Sequence, residues 1–385
     1  MNKRAGMGKE LTKDMLPVGK EIPWDLCNRQ GRVMFRKGFV VNTPASCERI
    51  LGMKLQVSAE SDGTVKDSGP ELSLAAALQA HTVVGPLRVI ESLADQVTEL
   101  FAGICYGPLP DLSALYSLVE SADRLFAEHP DTCLAAVHFN HGRSYQSLHA
   151  IYSLFLATQF AEVLAYDKTG SRSLASAALT ANLGMFEYHD EWANQPGPLT
   201  DEQNQVRLQH PNRSAERLQS LGVNDPFWLQ TVRQHHEFRD GSGYPLGLGG
   251  DDVLESARVV GLIDCYLAGV LPRAGRTPDS GKALKRVYQH AGKYGEQLAR
   301  LMVKVIGVYP PGTSVELENG EIAVVIHRDM DDTARPSVIT VKQQDDRYSK
   351  DQPVRDTGEN RYRIVGVYTP VKGEVNPALM VRAWH

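Results

Sequence analysis

The sequence predicts a mainly α-helical protein that carries a small β-rich segment at each end. Apolar residues such as Val89, Leu93 and Val97 recur at the spacing of one helix face, and this pattern continues through the middle of the chain. After Tyr309 the apolar spacing changes to two, which is typical of half-buried strands. Short glycine-bounded segments within residues 1–60 alternate in the same way, so we expect a small sheet there as well.

These changes in pattern divide the chain into four segments. Residues 1–60 are predicted to form a small β-rich N-terminal module that contains a hairpin. Residues 61–90 begin with a run of Gly, Ser and Asp and are predicted to be a linker. Residues 91–308 carry the helical pattern and form the main domain, and residues 309–385 form a β-rich C-terminal extension.

Several helices of the main domain begin at recognisable N-caps. Thr200 followed by Gln203 forms a capping box, which starts the helix that carries His210. The pair Asp225 and Pro226 opens the next helix, since Asp favours the cap and Pro the first helical position. Further helices are predicted over residues 112–128, 251–271 and 280–306.

The C-terminal extension contains a clear hairpin signal. In the segment from Val315 to Ile326, an alternating run precedes Asn319 and Gly320 and an apolar run follows them. An Asn-Gly pair between alternating segments favours the two-residue turn of a β-hairpin. Another strand is predicted over residues 336–341.

Composition limits the classes of function. The chain has 385 residues and a net charge of −5, which argues against DNA as a partner because a broad nucleic-acid footprint needs a basic face. Five scattered cysteines without a CxxC pair favour free thiols in a reducing compartment. Since no apolar stretch reaches the length of a membrane span, we expect no membrane span and a cytoplasmic protein.

The most informative feature is a pair of adjacent histidines, His235 and His236, that leads directly into a glycine-rich loop. Neutral imidazole is the commonest protein ligand for transition metals, so the pair indicates a metal site. Two surface histidines before a turn are the alternative interpretation. The residues that shape the loop are Asp240, Gly241, Gly243, Tyr244 and Pro245.

The run from His235 to Pro245 resembles the signature of the HD-GYP family, bacterial metal-dependent phosphodiesterases that hydrolyse cyclic di-GMP. The resemblance extends over about residues 140–310 and implies the helical bundle of the HD superfamily. Other segments that match the family in order are residues 177–185 (AALTANLGM), residues 196–200 (PGPLT), His210-Pro211 and Asp264.

One departure from the family pattern bears directly on catalysis. Ala181 and Asn182 stand where the family has its His-Asp dyad, and Met185 replaces the lysine of that motif. In the family this Asp bridges two metal ions, whereas alanine has no donor atom and asparagine lacks the negative charge. His189-Asp190, eight residues further on, is interpreted as part of a polar loop rather than as a relocated dyad.

The resemblance also implies a ligand set. By family position, His149 and Asp264 belong to the first metal, and His210, His235 and His236 to the second. Three histidines can hold one transition metal with an open coordination position. We therefore predict one metal ion of the Fe, Mn or Zn type at the three-histidine side, and no two-metal site.

Two kinds of partner follow from the resemblance. Arg273 and Arg276 stand where the family has basic residues that bind substrate phosphates, although solvated surface arginines are the alternative. The glycine-rich loop is associated in related proteins with binding GGDEF-domain proteins.

Two functional hypotheses result. The first is a catalytically impaired HD-GYP protein that acts as a cyclic di-GMP-linked sensor or docking module. The alternative is an active phosphodiesterase with one metal on the three histidines, in which Asn182 orients water.

Overall fold

The computed structural model describes the helical domain and most of the two terminal segments. The described residues are 9–27, 33–35, 37–38, 41, 47, 50–51, 55–57, 85–107, 109–138, 143–273, 279–345, 347–349 and 351–370. Residues 61–84 of the predicted linker lie outside this set, and so does Arg276.

The protein is mainly α-helical with small sheets, which confirms the predicted fold class. Short connections join successive helices, so neighbours in sequence are also neighbours in the bundle. The helices are α1 (Pro86–Tyr106), α2 (Leu112–Glu128), α3 (Pro130–Ala135), α4 (Tyr145–Val163), α5 (Lys168–Thr180), α6 (Phe186–Asn194), α7 (Asp201–Ser220), α8 (Pro226–Gln234), α9 (Glu255–Val270), α10 (Ser280–Gln289), α11 (Ala291–Tyr294) and α12 (Glu296–Ile306).

Helix α4 forms the centre of the bundle. It is buried on nearly every side and packs against α1, α5 and α9. A helix that is apolar all round is typical of a protein core. Its polar residues therefore lie inside the protein, and His149 is one of them, with 2% of its surface exposed.

The predicted helix starts are confirmed, but two boundaries differ. Thr200 and Gln203 form the full capping box, and Asp225 accepts hydrogen bonds from the first backbone N–H groups of α8. The predicted helix over residues 280–306 is instead three helices, with a first break at His290 between α10 and α11. The second break, between α11 and α12, lies at Gly295, whose φ of +109° ends one helix before the next begins. The helix predicted to begin at residue 251 begins at Glu255.

The N-terminal segment forms a four-stranded antiparallel sheet in the order β1-β4-β2-β3. Strands β2 and β3 pair as the predicted hairpin, with Leu26 opposite Phe35. The strands are β1 (Lys9–Glu10), β2 (Leu26–Cys27), β3 (Val33–Phe35) and β4 (Gln56–Val57).

The C-terminal segment forms a five-stranded antiparallel sheet in the order β8-β7-β6-β5-β9. The predicted hairpin is confirmed, but its connection is a three-residue loop, residues 318–320, instead of a two-residue turn: the Leu317 N–H donates to the Glu321 carbonyl at 2.9 Å, and Gly320 has a φ of +81°. The buried Arg328 joins the sheet to the helices by donating to Asp131 at 2.6 Å and to the Val305 carbonyl. The strands are β5 (Ser314–Leu317), β6 (Ile322–His327), β7 (Ser337–Lys342), β8 (Val354–Asp356) and β9 (Ile364–Val367).

Two further sequence predictions can be compared with the structure. All five cysteines are free and buried. No helix in the described part of the chain has both the length and the apolar character needed to cross a bilayer.

Candidate functional site

Three histidines from two neighbouring helices converge in the bundle. His210 lies on α7, His235 caps the end of α8, and His236 follows it. One nitrogen from each ring lies within 4.8 Å of the others, and the Nε2 atoms of His210 and His235 are 3.1 Å apart. This spacing is compatible with one shared metal ion.

Backbone carbonyls fix the orientation of two of these rings. The Nδ1 atom of His210 donates to the Arg207 carbonyl at 2.6 Å, and that of His235 donates to the Val232 carbonyl at 2.7 Å. A carbonyl can only accept, so each Nδ1 carries the proton and each Nε2 presents a lone pair. Two lone pairs that face each other repel unless a cation lies between them. The arrangement therefore fits a metal ion, because metal-bound histidines commonly donate their other N–H to such a partner.

The same histidines are held neutral. Burial lowers the pKa of His210 and His236 well below the usual value, and the neighbouring imidazoles lower it further. Burial also lowers the pKa of His235. Since only neutral imidazole has a free lone pair, the cluster stays in its metal-binding form at neutral pH.

His149 and Asp264, the residues that the resemblance assigns to the first metal, form the first-metal side of the site. Hydrogen bonds connect them to each other and to their neighbours. The Nε2 atom of His149 lies 3.2 Å from Oδ1 of Asp264, and the Ser153 hydroxyl is 3.3 Å from Nδ1 of His149. The amide nitrogen of Asn182 donates to the same Asp264 oxygen at 3.0 Å. Ala181 is buried and contributes no polar side-chain atom.

Asn182 thus donates a hydrogen bond at the position that the sequence resemblance assigns to a bridging carboxylate. The opposite amide orientation would point Oδ1 at the Asp264 carboxylate, so the hydrogen-bond network determines this assignment. Burial alone would raise the pKa of Asp264, but its hydrogen bond with His149 holds it well below its usual range. Asp264 is therefore ionised and already surrounded by donors.

Ala181 and Asn182 lie at the end of helix α5 and not inside it. Helix α5 ends at Thr180, Ala181 is its C-cap, and Asn182 follows with φ −96° and ψ 9°. Met185 is buried just beyond, with 7% of its surface exposed.

The interpretation of His189 as part of a polar loop is wrong. His189 lies in α6 and is buried against Tyr145 and His149, at ring-centroid distances of 4.9 and 5.6 Å. The spacing of Phe186, His189 and Ala193, all buried, was the available signal for a short amphipathic helix. Its neighbour Asp190 accepts the backbone N–H of Gln146 at the start of α4 at 3.0 Å.

The neutral, buried histidines predict acid sensitivity. Burial lowers the folded-state pKa of His189 and of the three clustered histidines, whereas a histidine in the unfolded chain has a pKa of about 6.5. Below that pH the unfolded chain binds more protons, so the free energy of unfolding falls as pH falls, by up to ~1.4 kcal/mol per unit for each such histidine. Urea unfolding of metal-free protein between about pH 7 and 5 should show this loss, with a shallower slope for His189→Phe. A constant free energy of unfolding would contradict neutral burial.

The first of the two predicted phosphate-binding arginines lies at the edge of the first-metal side. The Nε atom of Arg273 donates to the Tyr145 hydroxyl at 2.9 Å, and the guanidinium lies 4.6 Å from the centre of that ring. Arg276 lies outside the described residues, so its predicted role has no structural counterpart here.

Glu237 holds the glycine-rich loop against the histidine cluster. Its fully buried carboxylate accepts the backbone N–H groups of Leu246, Gly247 and Leu248 at 2.5, 3.2 and 3.0 Å. A Cβ atom on Gly243 would lie 2.5 Å from the Glu237 backbone, so this close approach needs glycine.

The loop residues lie at different depths. Tyr244 stacks on His236 at a centroid distance of 4.7 Å and is followed by a cis peptide bond to Pro245. Gly241 has a φ of +74°, and the exposed Asp240 accepts hydrogen bonds from Ser242. The loop thus joins an exposed tip to a base that touches the cluster.

The substitution Glu237→Gln tests whether the Glu237 carboxylate stabilises the glycine-rich loop. The amide keeps one acceptor oxygen but places an N–H₂ group against a backbone N–H, so we expect a loss of about 1–3 kcal/mol in the free energy of unfolding. Amide hydrogen exchange should accelerate over residues 240–248 while α12 stays protected. Unchanged exchange in the loop would show that Glu237 does not support it.

Comparisons with known proteins agree with this arrangement. The HD domain family matches residues 122–298. Cyclic di-GMP phosphodiesterase PA4108 of Pseudomonas aeruginosa is 25% identical over 310 residues, covering 76% of this chain and 75% of that protein. Cyclic di-GMP phosphodiesterase PdeB of Borreliella burgdorferi is 22% identical over 188 residues, covering 48% and 49%.

A solved structure, Bd1817, a HDG"Y"P protein from Bdellovibrio bacteriovorus, aligns with a TM-score of 0.48 at 17% identity, over 76% of this chain and 98% of that chain.

The histidine cluster lies within residues 122–298, the part of the chain that matches the HD domain family. Most of the chain is similar to a cyclic di-GMP phosphodiesterase, in agreement with the resemblance to the HD-GYP family that the sequence motifs indicate. HD-domain phosphodiesterases are metal-dependent, and the three-histidine cluster has a metal-compatible geometry.

Proposed function

We propose that this protein is a catalytically impaired HD-GYP protein that binds cyclic di-GMP and acts as a sensor or docking module. The observation that carries this proposal is the hydrogen bond from Asn182 to Asp264, at 3.0 Å. It places a neutral donor at the position from which a carboxylate would have to bridge two cations. With Ala181 beside it, the first-metal side keeps His149 and Asp264 and loses both residues of the dyad.

The chemistry of the family explains why this loss matters. Two adjacent metals lower the pKa of a bridging water and make it a nucleophile. One negative charge must compensate the repulsion between the two cations, and asparagine supplies none. Removing a preorganised charge of this kind commonly lowers the rate on the order of a hundredfold or more. Binding of a phosphate diester does not need the nucleophile, so it can persist without turnover.

The remaining residues support a ligand-binding role. The Nε2 atoms of His210 and His235, together with His236, would hold one ion of the Fe, Mn or Zn type. Such an ion supplies Lewis-acid contact to a phosphate oxygen when bound. Arg273, at the edge of the first-metal side, would contribute a positive charge to the same ligand. For the exposed loop around Asp240 we propose docking of a GGDEF-domain protein.

An active single-metal phosphodiesterase is the second candidate. The intact three-histidine cluster favours it, and so does the Oδ1 atom of Asn182, which is buried and has no hydrogen-bond partner in the described structure. That oxygen could orient a water molecule. Hydrolysis by one metal lacks the second cation, so it should be slow.

Binding and turnover measured together separate the two candidates. We expect calorimetry to detect cyclic di-GMP binding, while chromatography of the same mixture shows little linear product. His235→Ala should remove the metal and weaken binding, whereas the exposed Arg300→Gln should change neither. Rapid product formation that His235→Ala abolishes would establish the single-metal enzyme instead. Absence of binding by the parent chain would contradict the sensor role.

A further inference from the structure

Arg207 lies one helical turn before His210 on α7 and touches the cluster in two ways. Its carbonyl accepts the Nδ1 proton of His210 at 2.6 Å. Its side chain donates from Nη1 to the Tyr244 hydroxyl at 2.9 Å, and the guanidinium lies 4.9 Å from the centre of the Tyr244 ring. Tyr244 in turn stacks on His236. The guanidinium is thus fixed beside the three-histidine side.

The charge of this guanidinium has no counterpart in the described structure. Its Nε atom donates to the neutral amide oxygen of Asn204 at 3.0 Å, and its Nη1 atom donates to a neutral hydroxyl. None of the described carboxylates forms an ion pair with it, although the side chain is half-buried. Most of its N–H groups therefore remain available, and a half-buried cation of this kind is stabilised by an anion.

Because Met185 stands where the family has a lysine, another cation would have to contact a substrate phosphate, and Arg207 is a candidate. The family's lysine at that position is absent, so the cation that would face a substrate phosphate from this segment is missing. Arg207 brings a guanidinium to the other metal side, where phosphate oxygens would meet the histidine cluster. Guanidinium binds phosphate through two parallel N–H bonds and keeps its charge at every working pH.

We propose that Arg207 is an anion-binding residue of this site, which contacts a phosphate oxygen of a ligand held at His210, His235 and His236. Tyr244 is the positioning residue that holds the guanidinium in place. Bound phosphate would thereby be connected through Tyr244 to the glycine-rich loop. The identification of the ligand as cyclic di-GMP rests on the proposed function, whereas the binding of a phosphate oxyanion does not.

The test compares Arg207→Gln with Tyr244→Phe, since both remove the hydrogen bond between the two residues but only the first removes the charge. Calorimetry with cyclic di-GMP and ³¹P line broadening with inorganic phosphate serve as probes, on full-length protein of equal metal content. Arg207→Gln should weaken both ligands about 10- to 100-fold. Tyr244→Phe and Arg207→Lys should weaken them less, and Arg213→Gln, an exposed change on the same helix, should have no effect.

Two results would overturn the proposal: parent-like binding by Arg207→Gln, or equal losses in Arg207→Gln and Tyr244→Phe, which would limit Arg207 to holding the loop. If the parent chain binds inorganic phosphate and not cyclic di-GMP, the proposed function fails while the role of Arg207 is judged on phosphate. If it binds neither, both fail. Should Arg207→Gln not fold, Arg207→Lys against Arg213→Lys gives the same comparison, with a several-fold loss expected only for the former.

Discussion

Restoring the dyad with Ala181→His and Asn182→Asp should add a second metal ion and increase cyclic di-GMP hydrolysis. Asn182 lies next to His149 and Asp264, which are held in place by the bundle. The change returns one imidazole and one bridging carboxylate, so we expect a rate gain on the order of tenfold to a hundredfold. The gain should be partial, because Met185 still lacks the positive charge. Elemental analysis and product chromatography measure both effects.

The single variants are the controls. Asn182→Asp alone replaces a donor that lies 3.0 Å from Asp264 by a second carboxylate, and like charges at this distance cannot both ionise without a cation. Metal-free Asn182→Asp should therefore be less stable than the parent, and added metal should stabilise it by about 2.7 kcal/mol at a concentration 100 times its dissociation constant. Ala181→His alone should not gain hydrolysis.

Two outcomes of the double substitution would change the interpretation. If the parent already hydrolyses cyclic di-GMP rapidly and the double substitution adds nothing, the impaired-enzyme proposal is wrong. If the repaired chain binds two metals and remains inactive, the defect lies in substrate binding, and Met185→Lys is the next substitution.

Gly184→Ala should have the largest effect on the folded state. A Cβ atom there would lie 2.2 Å from the His210 carbonyl oxygen and 2.7 Å from the backbone nitrogen of Ser214, and both contacts are with backbone. Helix α7 would have to move away, which should cost about 3 kcal/mol or more of unfolding free energy. Because His210 moves with α7, metal affinity should fall as well. Urea unfolding and metal titration measure the two effects.

Gly292→Ala is the matched control. No atom lies within 4 Å of the Cβ position at Gly292, which belongs to the short helix α11. Alanine there removes backbone freedom from the unfolded chain, so the variant should be as stable as the parent or slightly more stable. Similar losses in both variants would show that the close approach of α7 does not depend on Gly184.

The helices could be predicted from sequence because local rules determine them. Apolar periodicity and the caps at Thr200 and Asp225 gave the starts of α7 and α8. The break at Gly295 was missed, since a glycine inside a helical pattern is often tolerated and only the backbone shows its φ of +109°. The domain boundaries stay predictions.

Some residues of the site could be predicted from the sequence, whereas others could not. Motif order placed His149 and Asp264 correctly beside each other. His189 was misassigned because the polar residues around it conceal a helix of nine residues. Arg207 gave no signal, because an arginine on a polar helix is normally solvated, and its contact with Tyr244 spans 37 residues of sequence. Contacts between distant segments are set by packing, which local patterns do not encode.

The most direct test of the central claim is the number of metal ions per chain in the purified parent protein, measured together with its cyclic di-GMP hydrolysis. The donor at Asn182 and the three-histidine cluster predict at most one transition metal per chain, removed by His235→Ala, with hydrolysis far below that of the repaired variant. Two tightly bound transition metals per chain with rapid hydrolysis would contradict the account.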